Sequence, residues 1–110
     1  MPKYLSQFSY SLNSVKGMVS KPQDRRGAAE KIFAAAGGTI EAMYFCFGEY
    51  DGVVITEFPS DIDAASAILA VGSSGAFSDI KTTVLIPMED SVAAMEQANK
   101  IASKYAPPAG

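Results

Sequence analysis

Residues 39–58, TIEAMYFCFGEYDGVVITEF, decide the fold of this chain. The stretch contains two runs rich in β-branched and aromatic residues, 39–47 and 53–58, which flank the loop GEYDG. Runs of this kind favour β-strands, and the Asp-Gly pair in the loop favours a tight reversal. The stretch therefore predicts an antiparallel hairpin in the middle of the chain.

The region before the hairpin predicts one strand and two helices. KYLSQFSY at residues 3–10 favours a first strand, and residues 11–20 favour a short helix. A second helix is expected to start near Pro22, because proline suits a first helical turn and Asp24 suits its positive end. The apolar residues at helical spacing on one face of this helix are Ala28, Ala29, Ile32, Phe33 and Ala36. The glycine pair at 37–38 ends the helix.

The region after the hairpin predicts a helix, a strand and a terminal helix. Ser60 is placed to cap a helix whose third position is Asp63. The expected buried stripe of that helix consists of Ile62, Ala65, Ile68 and Leu69. IKTTVLIP at 80–87 favours a fourth strand, and apolar residues at roughly helical spacing favour a last helix over about 88–105. The order β-α-β-β-α-β with an added helix predicts an α+β, ferredoxin-like antiparallel sheet.

The composition indicates one self-sufficient domain. A chain of 110 residues, 48% of them hydrophobic, can build one core without disulfides or metals. We therefore expect a single domain over residues 1–110 with its core at about 3–87. Cys46 is the only cysteine and cannot form an intrachain disulfide, and neither a secretory signal nor a membrane-spanning apolar run is present. A cytoplasmic protein without membrane contact is expected.

The charge and the lack of histidine exclude several classes of function. The net charge of −3 argues against a nucleic-acid-binding surface, because phosphate binding needs a cationic face. Without histidine the chain cannot use a histidine base, a Ser-His-Asp triad, histidine-ligated zinc or proximal-histidine haem. The carboxylates are scattered along the sequence, so we expect neither a bound metal nor another cofactor.

The predicted strands carry apolar residues on both faces of the sheet. In the second strand, Met43 and Phe45 point one way while Ala42 and Tyr44 point the other, and the later strands also lack clean alternation. Helices cover only one face of an isolated ferredoxin-like sheet. Leaving about five such side chains in water would forgo on the order of 10 kcal/mol. We therefore expect a homo-oligomer, a dimer or larger, with the terminal helix as an alternative cover within the chain.

Gly48, Tyr50 and Asp51 stand together in the central hairpin. This pattern resembles the GYD domain family of small bacterial and archaeal proteins, which is named for these three residue types. The resemblance extends over about residues 3–86. Its other elements are the first strand through Tyr10, the segment 14–18, Arg25 and Arg26, the alanine pair 28–29, the glycine pair 37–38, Tyr44, and the run from Val53 through Glu57, Pro59 and the alanine pair 64–65.

The resemblance implies a ferredoxin-like fold of the dimeric α+β barrel type. Families related to it by this barrel include cofactor-free monooxygenases, small-molecule isomerases and ligand-sensing domains of regulators. Because one fold serves several functions, the resemblance implies no single reaction.

Tyr50 and Asp51 are the first candidate ligand-binding residues, because a phenol beside a carboxylate can orient a polar ligand or relay a proton. The alternative is structural: aspartate accepts backbone hydrogen bonds in reversals, and tyrosine can cover the end of a core. Tyr44 and Glu57 lie within strands, where one of them could line a cavity, and a buried Glu57 could act as a base. The alternative for Glu57 is a strand end that faces solvent or an arginine.

Arg25 and Arg26 are the remaining candidates, and they lie in a cation-rich region near a predicted helix start. The free amides of a helix start would help such side chains to hold a carboxylate or a phosphate. The alternative is an ordinary solvated surface or an ion pair between subunits.

Three hypotheses of function follow. The first is an oligomeric protein that binds a small anionic or aromatic molecule in a pocket bounded by the sheet and the helix near Pro22. The second is a cofactor-independent monooxygenase or isomerase that uses Tyr44, Tyr50, Asp51 or Glu57 to handle a proton. The third is an assembly module without a ligand. The sequence leaves open whether the protein is an enzyme.

Overall fold

Four strands form one antiparallel sheet in the computed structural model, which describes residues 1–108. The strands are β1 (Lys3–Tyr10), β2 (Thr39–Phe45), β3 (Gly52–Glu57) and β4 (Phe77–Leu85). Their order across the sheet is β2-β3-β1-β4, so β1 and β3 lie at the centre. The predicted α+β fold with a four-stranded antiparallel sheet is confirmed.

The helices of the described residues are α1 (Leu12–Ser20), α2 (Arg26–Ala35), α3 (Asp61–Gly72) and α4 (Met88–Ile101), which runs into a 3-10 turn at Ala102–Lys104. The predicted cap of α3 is present: the Ser60 hydroxyl accepts the Asp63 N–H at 3.3 Å and donates to the Asp63 carboxylate at 2.9 Å. After α2, Gly37 takes φ +81°, the left-handed conformation that ends many helices.

The core lies between one face of the sheet and the layer formed by α2 and α3. Its buried apolar residues are Tyr4, Phe8, Phe33, Val54, Phe58, Ala64 and Ala67. The Phe58 ring is 1% exposed and meets the rings of Tyr4 and Phe33 edge to face, with centroid separations of 5.9 and 5.7 Å. A Cβ at Gly38 would collide with the Phe58 ring, so this close packing of ring on backbone needs a glycine.

A β-bulge in β2 decides which of its side chains face the core. The register shifts between Ile40 and Ala42, so that Ile40 pairs with Thr56 and Met43 pairs with Val54. Paired residues share a face, and Thr56 and Val54 are both buried under the helices. Residues three apart would lie on opposite faces of a regular strand, so the bulge brings Ile40 and Met43 to the core together.

The other face of the sheet, which we call the open face, has no helix of the described residues packed on its centre. Leu5, Val53 and Ile55 lie there and are half-buried. At one end of this face, Lys3 Nζ lies 2.9 Å from Glu41 Oε2 and 3.5 Å from Glu57 Oε1. The predicted apolar residues on the second face are therefore present, and polar or charged residues surround them.

The start of α2 differs from the prediction. The helix begins at Arg26 rather than near Pro22. The preceding segment forms a turn, because Gln23 Nε2 donates to the Lys21 carbonyl at 3.1 Å and the Asp24 carboxylate accepts the Arg26 N–H at 2.9 Å. Asp24, which lies outside the helix, thus accepts a hydrogen bond from one of the free backbone N–H groups of the first helical turn.

Two strand boundaries also differ. β2 ends at Phe45, so Phe47 lies in the loop and is 101% exposed. β4 begins at Phe77 rather than at residue 80, because Ser9 and Tyr10 of β1 pair with Asp79 and Phe77. Pairing with a central strand here outweighs the weak strand propensity of the Ser-Asp pair.

The predicted buried stripe of α3 is wrong. Ala64 and Ala67 face the core, whereas Ile62 and Leu69 are 78% and 72% exposed. Ala65 is also exposed and Ile68 is half-buried. The small alanine side chains allow α3 to lie close to the sheet, and the larger residues are left on its outer side.

α4 stands away from the rest of the chain. None of its side chains is buried. The Cα radius of gyration is 18.0 Å, whereas a compact chain of this length has about 13 Å. α4 therefore does not cover the open face within the chain.

Candidate functional site

A cavity of about 450 Å³ lies between the sheet and helices α1, α2 and α3, and we call it the inner pocket. The β1 residues Ser6, Phe8 and Tyr10 form its floor, since they point to the helix-covered face. Its walls are mostly apolar side chains of the helices and neighbouring strands, including Met18, Ala29, Ile32, Met43, Phe77 and Ile80. Apolar walls with few polar groups are typical of small-molecule sites.

An aromatic cluster closes one end of the inner pocket. Phe77 lies against Phe8 at a centroid separation of 5.3 Å and stacks on Tyr10 at 5.1 Å. Phe8 and Tyr10 meet edge to face at 5.6 Å. The cluster offers flat apolar surface to a ligand and holds the Tyr10 ring in place.

Arg25 lies at the mouth of the inner pocket. It also lines a neighbouring outer cleft of about 710 Å³, which lies between α1, the turn before α2 and the end of the hairpin. Its Nη1 donates to Gln23 Oε1 at 2.8 Å, and no carboxylate among residues 1–108 lies within ion-pair distance of its guanidinium. Arg25 therefore brings a positive charge, without an ion-pair partner, to a pocket whose other lining residues are uncharged.

Asp51 fastens the end of the hairpin to β1. Its Oδ2 accepts the Tyr10 N–H at 2.9 Å, and its own N–H donates to the Phe8 carbonyl at 2.9 Å. Burial raises the pKa of the Tyr10 phenol, and the Asp51 carboxylate adds to this rise while Arg25 opposes it. Asp51 thus makes the backbone hydrogen bonds that are expected of an aspartate with a structural role in a reversal. Its bond to the Tyr10 N–H also helps to position Tyr10, which lines the inner pocket.

The other candidates are spread over several surfaces. Tyr50 is half-buried and lines neither cavity, and Tyr44 lies at the edge of the outer cleft with 66% of its surface exposed. Arg26 lines the outer cleft, where its Nε donates to Glu30 Oε1 at 2.8 Å. Glu57 lies beside Lys3 at the end of the open face. The structure thus brings Arg25 and Asp51 together and leaves Tyr50 and Glu57 apart from them.

The pocket also contains residues that were not among the candidate site residues of the sequence. Met18 and Gly17 of α1 and Phe77 of β4 line it, although no chemical motif marks them. The alternation of Ser6, Phe8 and Tyr10 along β1 is the signal that could have located the floor, since period-two residues share a face.

The described part of the chain contains neither a metal cluster nor a membrane helix. Among residues 1–108, no three His, Cys, Asp or Glu side chains come together as ligands would. None of the helices described combines the length and the apolarity that crossing a bilayer requires.

The GYD domain model matches residues 4–95. The chain belongs to the GYD domain family. The match spans the four strands, α1 to α3 and the first half of α4, so the resemblance found in the sequence is confirmed. Because the match ends at Met95, the second half of α4 lies outside the part that this GYD domain shares with its family.

Solved structures share the fold of this GYD domain at low sequence identity. A hypothetical protein from Pyrococcus horikoshii is 18% identical with a TM-score of 0.54, over 79% of this chain and 92% of that one. A protein from Thermus thermophilus is 14% identical with a TM-score of 0.53, over 79% and 95%. FFRP-DM1 is 14% identical with a TM-score of 0.50, over 78% and 100%. A comparison with curated proteins gives no match.

Proposed function

We propose that this GYD-domain protein is an oligomer that binds a small molecule with an apolar or aromatic body and an anionic group. The body lies in the inner pocket, and the anion lies beside Arg25. The observation that carries this proposal is the apolar pocket of about 450 Å³ with an arginine at its mouth. That volume is within the range of small-ligand sites, about 300–1,000 Å³.

The chemistry of the walls supports this class of ligand. Phe8, Tyr10 and Phe77 offer aromatic faces to a flat apolar body. Arg25 supplies planar donors for a carboxylate, sulfonate or phosphate, and its present partner is the neutral Gln23 side chain rather than a carboxylate. An anion that displaces water near Arg25 would gain a charge-assisted hydrogen bond without breaking an ion pair.

The open face supports the oligomeric part of the proposal. Leu5, Val53 and Ile55 form an apolar centre, and the polar residues around them resemble the rim of a protein interface. Face-to-face packing with the sheet of a second copy would remove this centre from water. It would leave the inner pocket, on the other side of the sheet, accessible from the helix layer.

The ligand proposal can be tested with two fluorescent probes. 8-Anilinonaphthalene-1-sulfonate carries an aromatic body and an anion, whereas N-phenyl-1-naphthylamine has a similar body without the charge. We expect saturable binding of both probes. Arg25→Gln should weaken binding of the sulfonate about tenfold and leave the neutral probe unchanged, because one charge-assisted hydrogen bond is lost.

Arg26→Gln is the matched control, because Arg26 is already paired with Glu30. It should change neither probe's dissociation constant. Asp51→Asn keeps an oxygen acceptor for the Tyr10 N–H and should also bind both probes normally. Non-saturable binding, or equal effects of the two arginine variants, would contradict the proposed site.

The assembly proposal has a separate test. Ile55→Asp places a charge in the centre of the open face, and sedimentation velocity should show a folded monomer in place of a dimer or larger species. Asn13→Asp, which adds the same charge at an exposed position of α1, is the control and should sediment like the parent. A parent protein that sediments as a stable monomer at micromolar concentration would refute the oligomer.

A further inference from the structure

α4 is amphipathic, and its apolar side has no partner in the described chain. Met88, Val92 and Met95 follow one another at separations of four and three residues, so they lie along one side of the helix, and Ala102 in the 3-10 turn continues this spacing. All four are exposed. An apolar stripe of this length on a helix with no buried side chain indicates a partner surface.

The charges at the two ends of α4 have opposite sign. Glu89 and Asp90 lie in its first turn, Glu96 lies near the middle, and Lys100 and Lys104 lie in its last turn and in the 3-10 turn that follows. This distribution agrees with the helix dipole and also makes the helix bipolar along its axis. Two such helices side by side repel when parallel, because like ends meet, and attract when antiparallel.

We propose that α4 pairs antiparallel with the α4 of a second copy of this chain. The pairing is self-complementary: Glu89 and Asp90 at the start of each helix lie beside Lys100 and Lys104 at the end of the other, and the two apolar stripes meet between them. A two-fold axis near the middle of α4 generates the arrangement, which is the usual symmetry of homodimers. No other element of the described chain presents both an exposed apolar stripe and this division of charge.

The pairing is too small to hold two copies together alone. Two helices of 14 residues, each about 21 Å long, bury less than the roughly 1,200 Å² of a specific interface. The contact therefore works beside a second one, for which the open face is the candidate. The pairing is independent of what occupies the inner pocket, and it extends the interface beyond the residues that the family model matches.

Spin labels on the intact chain test the direction of the pairing. Glu89→Cys and Glu96→Cys, each in a Cys46→Ser background, place a label at the end and at the middle of the same side of α4. In the antiparallel pair, the two copies of residue 96 lie nearly level, whereas the two copies of residue 89 are about 20 Å apart along the axis. The expected result is a short intermolecular distance at 96 and one longer by at least about 10 Å at 89.

Equal short distances at both positions would mean parallel pairing and would overturn the proposal. The lack of a short distance at 96 would overturn it as well, and would leave α4 packed on another surface. As a second measurement, Met95→Glu should abolish the short distance at 96, whereas Ala93→Glu, on the opposite side of the helix, should preserve it. Ile55→Asp protein, which should be monomeric, should lose the short distance at 96 as well, because the α4 contact is too small to act alone. Sedimentation of the labelled protein separates the two contacts: a dimer without a short distance at 96 would refute the α4 pairing and leave the open-face contact standing.

Discussion

Both faces of the sheet carry apolar side chains, and these side chains differ in burial. Along β1 and β3, the residues on the helix-covered face, such as Tyr4, Phe8 and Val54, are 3–6% exposed. Their neighbours on the open face, such as Leu5 and Val53, remain partly exposed. The difference shows that residue type does not decide burial in this sheet. Burial depends instead on whether a helix packs on that face of the sheet, and α2 and α3 pack on only one of the two faces.

The largest expected difference in stability is between a buried and an exposed aromatic ring. Phe58→Ala should lower the free energy of unfolding by about 3–5 kcal/mol, because it leaves a cavity between Tyr4 and Phe33. Phe47→Ala removes the same ring from an exposed loop and should change stability by less than about 0.5 kcal/mol. Urea unfolding followed by circular dichroism measures both. Similar losses in the two variants would mean that Phe47 is covered in solution.

A second contrast uses two adjacent valines on opposite faces of β3. Val54→Ala should lower the free energy of unfolding by about 2 kcal/mol at every protein concentration, because the core loses two methyl groups. Val53→Ala should cost less than about 1 kcal/mol in dilute protein, and its cost should grow with concentration if the open face is an interface. Denaturation at several concentrations separates these behaviours. A loss at Val53 that is independent of concentration would contradict assembly through this face.

The smallest expected effect on stability comes from one hydrogen bond, between Tyr4 and Asp61, and it depends on pH. The hydrogen bond from the Tyr4 hydroxyl to Asp61 raises the pKa of Tyr4 to about 12. An unfolded tyrosine titrates near pH 10, so the neutral phenol stabilises the fold below about pH 10. This contribution is lost as the pH rises from about 10 to 12. The stability difference between the parent and Tyr4→Phe should therefore shrink over that interval, and parallel curves would show that the bond contributes nothing.

Much of the fold could be predicted from local sequence. The hairpin, the Ser60 cap and the glycine pair after α2 follow from chemistry within a few residues, and each appears where the sequence places it. The errors have tertiary causes. The predicted buried stripe of α3 is wrong because Ala64 and Ala67 allow the helix to pack closer to the sheet than Ile62 or Leu69 would. The start of β4 is early because β1 pairs with it.

The candidate site was predictable only in part. Arg25 and Asp51 stood out as charged residues near turns, and the structure brings both to the outer cleft, while Arg25 also lines the inner pocket. The residue types of Met18 and Phe77 do not mark them as pocket residues. A residue becomes part of a pocket wall because of the elements that the fold places opposite it. Tyr50 and Glu57 stood out for their chemistry, and their places in the fold keep them away from the cavity.

The bulge in β2 also affects how copies of this protein can meet. β2 is an edge strand, and an edge with regular, unpaired backbone groups can add strands from other molecules without limit. An extra residue at Glu41 interrupts that regular row and increases the local twist. Growth of the sheet sideways into filaments is thereby discouraged at this edge. The oligomer proposed above would therefore use surfaces that close on themselves and give a complex of finite size.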